Sequence, residues 1–110
     1  MNNFELDETS LRDANMSGVD LQHANLRRVN FSRAHLSAAN MSGSDLSMAD
    51  LRWADLQYAK LSRVNLSNAA VSGVILVGAH LDSAILRSAN LSGTDMRWAR
   101  MNSTDLRGAN

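Results

Sequence analysis

Lys60, His80 and Arg100 stand at intervals of 20 residues. If the fold stacks them, they form a column of cationic or protonatable groups fit to hold an anion or an acidic partner surface. A solvated face with no ligand is the plain alternative. A second set is apolar and aromatic: Tyr58, Ile75, Val77 and Trp98, with Met48 and Trp53 nearby in sequence. Trp and Tyr are enriched where proteins grip one another, and a large exposed apolar area usually has a use. Scattered aromatics on a surface are the plain alternative here too. Catalytic chemistry has less to work with. His23, His35 and His80 do not share a spacing that would gather them, no cysteine is present, and no G-x-S-x-G, H-E-x-x-H or phosphate-loop pattern occurs. The sequence therefore implies no enzyme, no metal and no cofactor.

The elements that position these residues follow from a period of five. From Leu6 to Leu106 every fifth residue is large and apolar, passing through Phe31, Met41, Leu56, Val71 and Met96 without a gap. In an α-helix five residues advance about 500°, so these side chains would smear around the axis. In a flat strand an odd repeat would flip faces at each step. The repeat works only if the chain turns once per unit. From Leu11 on, two residues before each large residue stands a small or β-branched one, usually alanine, which an extended segment places on the same face. Between them comes an outward position, mostly Asn or Asp, expected to face water. The remaining two positions make the corner. Serine crowds the first and all six glycines fall on the second, as a turn with positive φ would favour. Four right-angled corners close a square of 20 residues, and stacked squares pair as parallel strands about 4.8 Å apart. Residues 20 apart then lie one above another. The units are so uniform that no concave site is expected.

Runs such as Ala49-Asp50-Leu51-Arg52-Trp53, Ala54-Asp55-Leu56-Gln57-Tyr58 and Ala89-Asn90-Leu91-Ser92-Gly93 carry an A-(D/N)-L-x-x pattern. In this the chain resembles the pentapeptide repeat family. The resemblance implies an all-β fold, a right-handed quadrilateral parallel β-helix (a solenoid) of about five 20-residue coils, here as a single domain over residues 1–110. It also implies a non-catalytic role. Some members mimic B-form DNA and protect or inhibit bacterial type II topoisomerases such as DNA gyrase, while others are effectors, regulators or immunity factors. Two functions stay open. One is a protein-interaction or self-assembling scaffold, associating through a coil end or the apolar face. The other is a DNA-mimicking regulator of gyrase.

Charge bears on that choice. Formal net charge is zero. Residues 1–26 hold five acids against Arg12, a net of −4; residues 27–63 hold six bases against three acids, a net of +3. A DNA mimic needs acidic columns along its length, whereas this chain has ten arginines. Direct nucleic-acid binding is not expected either, since no positive excess exists to neutralise phosphates. Met1 to Ser10 has no basic start followed by an apolar run, and no stretch approaches the ~20 apolar residues of a membrane span. A cytoplasmic bacterial protein with no membrane partner is the expectation, and a secreted effector with a non-cleaved signal is the alternative.

Overall fold

The computed structural model describes residues 4–110. Met1, Asn2 and Asn3, which the single-domain expectation includes, lie outside the described residues. The chain winds into a prism with principal extents of 27 × 23 × 21 Å. Its register is the one that the period implies. Parallel bridges join residues 20 apart from Glu5↔Asn25 to Ile85↔Asp105, always at the outward position. Each extended segment is so short that it meets each neighbouring coil through one bridge.

The interior is a shaft of the two inward positions. Leu26, Phe31, Leu36, Met41, Leu46, Leu51 and Leu61 are fully buried, as are Ala34, Ala39, Ala54 and Ala59 between them. The same shaft continues through Leu76, Leu81 and Leu86 to Ala89. Full burial of a leucine is worth about 1.5–3 kcal/mol, so this column is the main source of stability. Ser44 replaces alanine in the shaft, and its hydroxyl donates to the Met41 carbonyl at 2.7 Å. That bond removes the penalty for a buried hydroxyl.

Backbone hydrogen bonds explain why five residues repeat so strictly. From Leu6 to Leu91 the amide of each large residue donates to the next coil, as Leu56 does to the Ile75 carbonyl at 2.8 Å. The second corner residue does the same, Tyr58 to Val77 at 2.9 Å. The outward residue donates to the previous coil, Asp55 to Ala34 at 3.0 Å, and the small residue closes the corner, Ala59 to Leu56 at 3.0 Å. Four of five amides are thus paired by backbone.

The fifth, on the first corner residue, is taken by the Asn or Asp two residues earlier. Asp45 Oδ1 accepts from the Ser47 amide at 3.0 Å, and Asn65 does so for Ser67 at 3.0 Å. Where serine follows, its hydroxyl donates to the same oxygen, at 2.7 Å in both cases. These side chains fold back onto their own corner as Asx turns, which corrects the expectation that they only meet water.

Every second corner residue from Glu8 to Gly108 has φ between +57° and +71°, yet only six are glycine. The corner therefore imposes positive φ whatever the residue, at some strain for side chains such as Trp53 and Arg63. At three corners glycine answers a different demand. A Cβ on Gly73 would stand 2.3 Å from Trp53 Cε3, and one on Gly78 would stand 2.6 Å from the Tyr58 ring. Gly43 has the same relation to His23. An aromatic ring at one corner lies down over the next coil, and only glycine leaves room.

Candidate functional site

Three surface regions concentrate chemistry, each on its own edge or face of the prism. Tyr58, Gly78 and Trp98 follow one another down one corner, with Val77 beside Gly78. Ile75 stands on the face that leads into that corner, bridged to Asp55 and Asp95. Trp98 is 85% exposed and Tyr58 64%. The Tyr58 ring is held against the backbone at Gly78, so part of this strip is ordered before any partner arrives. Met48 and Trp53 are exposed as well, but they occupy the two preceding corners and do not join the strip. Of the six residues singled out in sequence, four share one edge.

The cationic column forms as the spacing implied, through the bridges Lys60↔His80 and His80↔Arg100. Arg100 turns to the neighbouring corner, where its guanidinium sits 2.9 Å from Asp82. Asp82 also accepts the Asn102 amide at 3.0 Å. One of the three cations is thereby spent inside the protein, leaving Lys60 and His80 without an ion pair among the described residues. His23 lies at a corner, and His35 and His80 lie on different faces. Among the described residues no group of acids and histidines is placed to hold a metal.

Many arginines are likewise engaged locally. In Asp50-Leu51-Arg52, Asp95-Met96-Arg97 and Asp105-Leu106-Arg107 the guanidinium forks onto the aspartate two residues before it. The same carboxylate accepts the arginine's own amide. The Arg52 hydrogen bond is the main reason that the Asp50 carboxyl titrates below the usual range, and Arg97 does the same for Asp95. Arg107 pushes Asp105 down to about 2. These pairs are solvent-exposed and screened, so they contribute little to stability. Their consequence is for recognition, because three aspartates and three arginines cancel in place.

The third region was not anticipated, since a concave site was not expected. A depression of about 180 Å³ opens on the corner one before the aromatic strip, lined by Arg12, Ser32, Arg33, Arg52 and Trp53. Ser32 is 5% exposed, and its hydroxyl donates to Asn30 Oδ1 at 2.6 Å. Arg12 and Arg52 project from the coils on either side of it, and the short serine between them makes the hollow. The signal was present in sequence as Arg12, Ser32 and Arg52 at spacing 20, each followed by a second corner residue (Asp13, Arg33, Trp53).

Among the described residues no helix is long and apolar enough to cross a membrane. The profile described as pentapeptide repeats (8 copies) matches four overlapping stretches, residues 1–33, 14–51, 34–73 and 65–108. Among solved structures, the pentapeptide repeat protein Rfr23 of the cyanobacterium Cyanothece 51142 is 30% identical with a TM-score of 0.78, over 83% of this chain and 60% of its own. A pentapeptide repeat protein of the Arabidopsis thaliana thylakoid lumen is 31% identical, with a TM-score of 0.54 over 80% of this chain and 65% of its own. A trypsin-treated form of QnrB1, a plasmid-mediated fluoroquinolone resistance protein, is similar in fold alone at 20% identity, with a TM-score of 0.89 over 98% of this chain and 56% of its own. The chain spans less than two thirds of each of these relatives. No curated sequence matches it closely. Repeat profile, coil register and structural neighbours agree that this chain belongs to the pentapeptide repeat family, whose fold is a right-handed quadrilateral β-helix.

Proposed function

We propose that the protein is a non-catalytic interaction scaffold, binding another protein or a second copy of itself through the edge formed by Tyr58, Ile75, Val77 and Trp98. The observation that carries this reading is the exposure of Trp98 and Tyr58 on one corner, beside an isoleucine that has displaced a capping Asn or Asp. Desolvating two aromatic rings is the largest gain in contact energy that this surface offers. The edge adjoins the face that carries the cationic column of Lys60, His80 and Arg100, which serves as the polar flank of the same contact. About five 20-residue coils form the scaffold, as a single unit at work in the bacterial cytoplasm.

Sedimentation of the protein alone, and binding to a partner captured from its host, test the reading. Trp98→Ala and Ile75→Asp should weaken one of these associations while leaving the β spectrum unchanged. A protein that is monomeric at high concentration, and whose captured partner binds both variants as well as the parent, would overturn it.

The alternative, a DNA-mimicking regulator of gyrase, is supported by fold likeness alone. The pairing of Asp50, Asp95 and Asp105 with their own arginines works against it, since a mimic must present unneutralised acidic columns. A supercoiling assay with purified gyrase separates the two, because the scaffold reading expects no response to excess protein.

A further inference from the structure

The hollow at Arg12, Ser32, Arg33, Arg52 and Trp53 has the chemistry of a ligand site and shares no residue with the aromatic edge. We infer that it binds a small phosphate monoester carried on a flat ring, of the nucleoside monophosphate class, with the phosphoryl group among the three guanidiniums and the ring on Trp53.

The charge arithmetic favours an anion. Arg12 lies 3.5 Å from Asp13, and Arg52 is forked onto Asp50 through Nε and Nη2. Three guanidiniums against two carboxylates leave one positive charge, and it resides on Arg33, whose side chain has no ion pair among the described residues. The fork to Asp50 also holds Arg52 in one orientation, and its Nη1 edge has no partner among the described residues. A guanidinium presents its donors in a rigid plane that matches the oxygens of a phosphoryl group. Ser32 does not compete for the ligand, since its hydroxyl already donates to Asn30.

The ring half of the ligand follows from Trp53. Its indole is laid over Gly73, where a Cβ would come within 2.3 Å, so one face is seated on backbone. The residue remains 64% exposed. A seated indole offers its outer face for stacking with little further loss of side-chain freedom, and stacking of a base on such a ring is a substantial contribution. Charge and ring lie at neighbouring positions of one corner, which suits a compact ligand.

Fluorescence titration tests this directly. The chain has two tryptophans, so Trp98→Phe leaves Trp53 as the sole reporter. At low ionic strength, adenosine monophosphate should quench Trp53 saturably, and adenosine at equal concentrations should not. Inorganic phosphate should compete, but more weakly. Arg33→Gln should raise the Kd by roughly tenfold, the loss of one charge-assisted hydrogen bond. It should do so without changing the melting temperature, because the Arg33 side chain makes no hydrogen bond or ion pair among the described residues, and its backbone bond to Arg52 is kept. Arg63→Gln, exposed on the opposite corner, should leave the Kd as it was. Three results would overturn the proposal: no saturable quenching by the monophosphate, equal quenching by adenosine, or an Arg33→Gln variant that binds like the parent. Phosphate binding as tightly as the monophosphate would overturn the stacked-ring half and reduce the site to a bare anion pocket.

Discussion

Two coils with the same backbone have unlike exteriors. In the coil of residues 40–59 the four outward positions are Asn40, Asp45, Asp50 and Asp55, and each accepts the amide of the corner that follows it. In the coil of residues 70–89 the corresponding residues are Ala70, Ile75, His80 and Ile85, and none does so. The amides of Ser72, Val77, Asp82 and Arg87 find no acceptor among the described residues. Both coils nonetheless bury their leucines alike, Leu51 and Leu56 in one and Leu81 and Leu86 in the other. The ladder and the shaft therefore carry the fold, and the corner caps are a refinement that one whole coil does without. What that coil has in return is two outward isoleucines, Ile75 and Ile85, and two glycines that seat Trp53 and Tyr58.

The comparison is sharpest at the shaft, which should be equally intolerant in both coils. Leu56→Asp and Leu76→Asp should each remove several kcal/mol, about 4 or more, because a carboxylate would be buried without a partner. Urea denaturation would show it, and a tolerated variant in either coil would mean that the inward set is misassigned.

Glycine substitutions come next and separate strain from collision. Gly73→Ala must accept positive φ and also displace the Trp53 ring, so a loss of about 2 kcal/mol is expected. Gly18→Ala meets nothing within 4 Å and should lose only the φ term, about 1 kcal/mol. Equal losses would show that the indole is not seated as described.

The caps themselves should be worth less. Asp45→Ala deletes the bonds to the Ser47 amide and hydroxyl and should cost about 1 kcal/mol. Ile75→Asn supplies the uncapped coil with the missing acceptor for Val77, and its melting temperature should not fall despite the lost apolar surface. A marked destabilisation there would mean that Ile75 supports the coil rather than standing outside it.

Acid should produce the mildest effect. Asp50, Asp95 and Asp105 are held below the ordinary carboxylate range by Arg52, Arg97 and Arg107. A depressed folded value means that the stabilisation is present above the unfolded pKa near 4 and lost as pH falls through the folded one. For Asp105 that window runs down to about 2. A melting curve series from pH 5 to pH 2 should decline, and Asp105→Asn should flatten part of the decline.

Much of the architecture could be read from residue order. A large residue every fifth place and a small one two before it have one consistent solution, a chain that turns at each unit, and this set the register of 20 that the bridges display. The edge holding Tyr58, Val77 and Trp98 and the column holding Lys60, His80 and Arg100 followed from the same count. Backbone geometry repeats with the sequence, so positions could be assigned without knowing any contact.

Side-chain direction was a different matter. That Asp45 folds back to a corner amide, that Arg100 leaves its column for Asp82, and that Trp53 lies across Gly73 depend on torsions and on neighbours a full coil away. The hollow beside Arg33 arises in the same way, from a short, buried serine set between arginines of the two neighbouring coils. Periodicity placed every Cα on its corner or face; only the packed coils decided which side chains met, because each such meeting joins residues that the chain itself keeps 20 places apart.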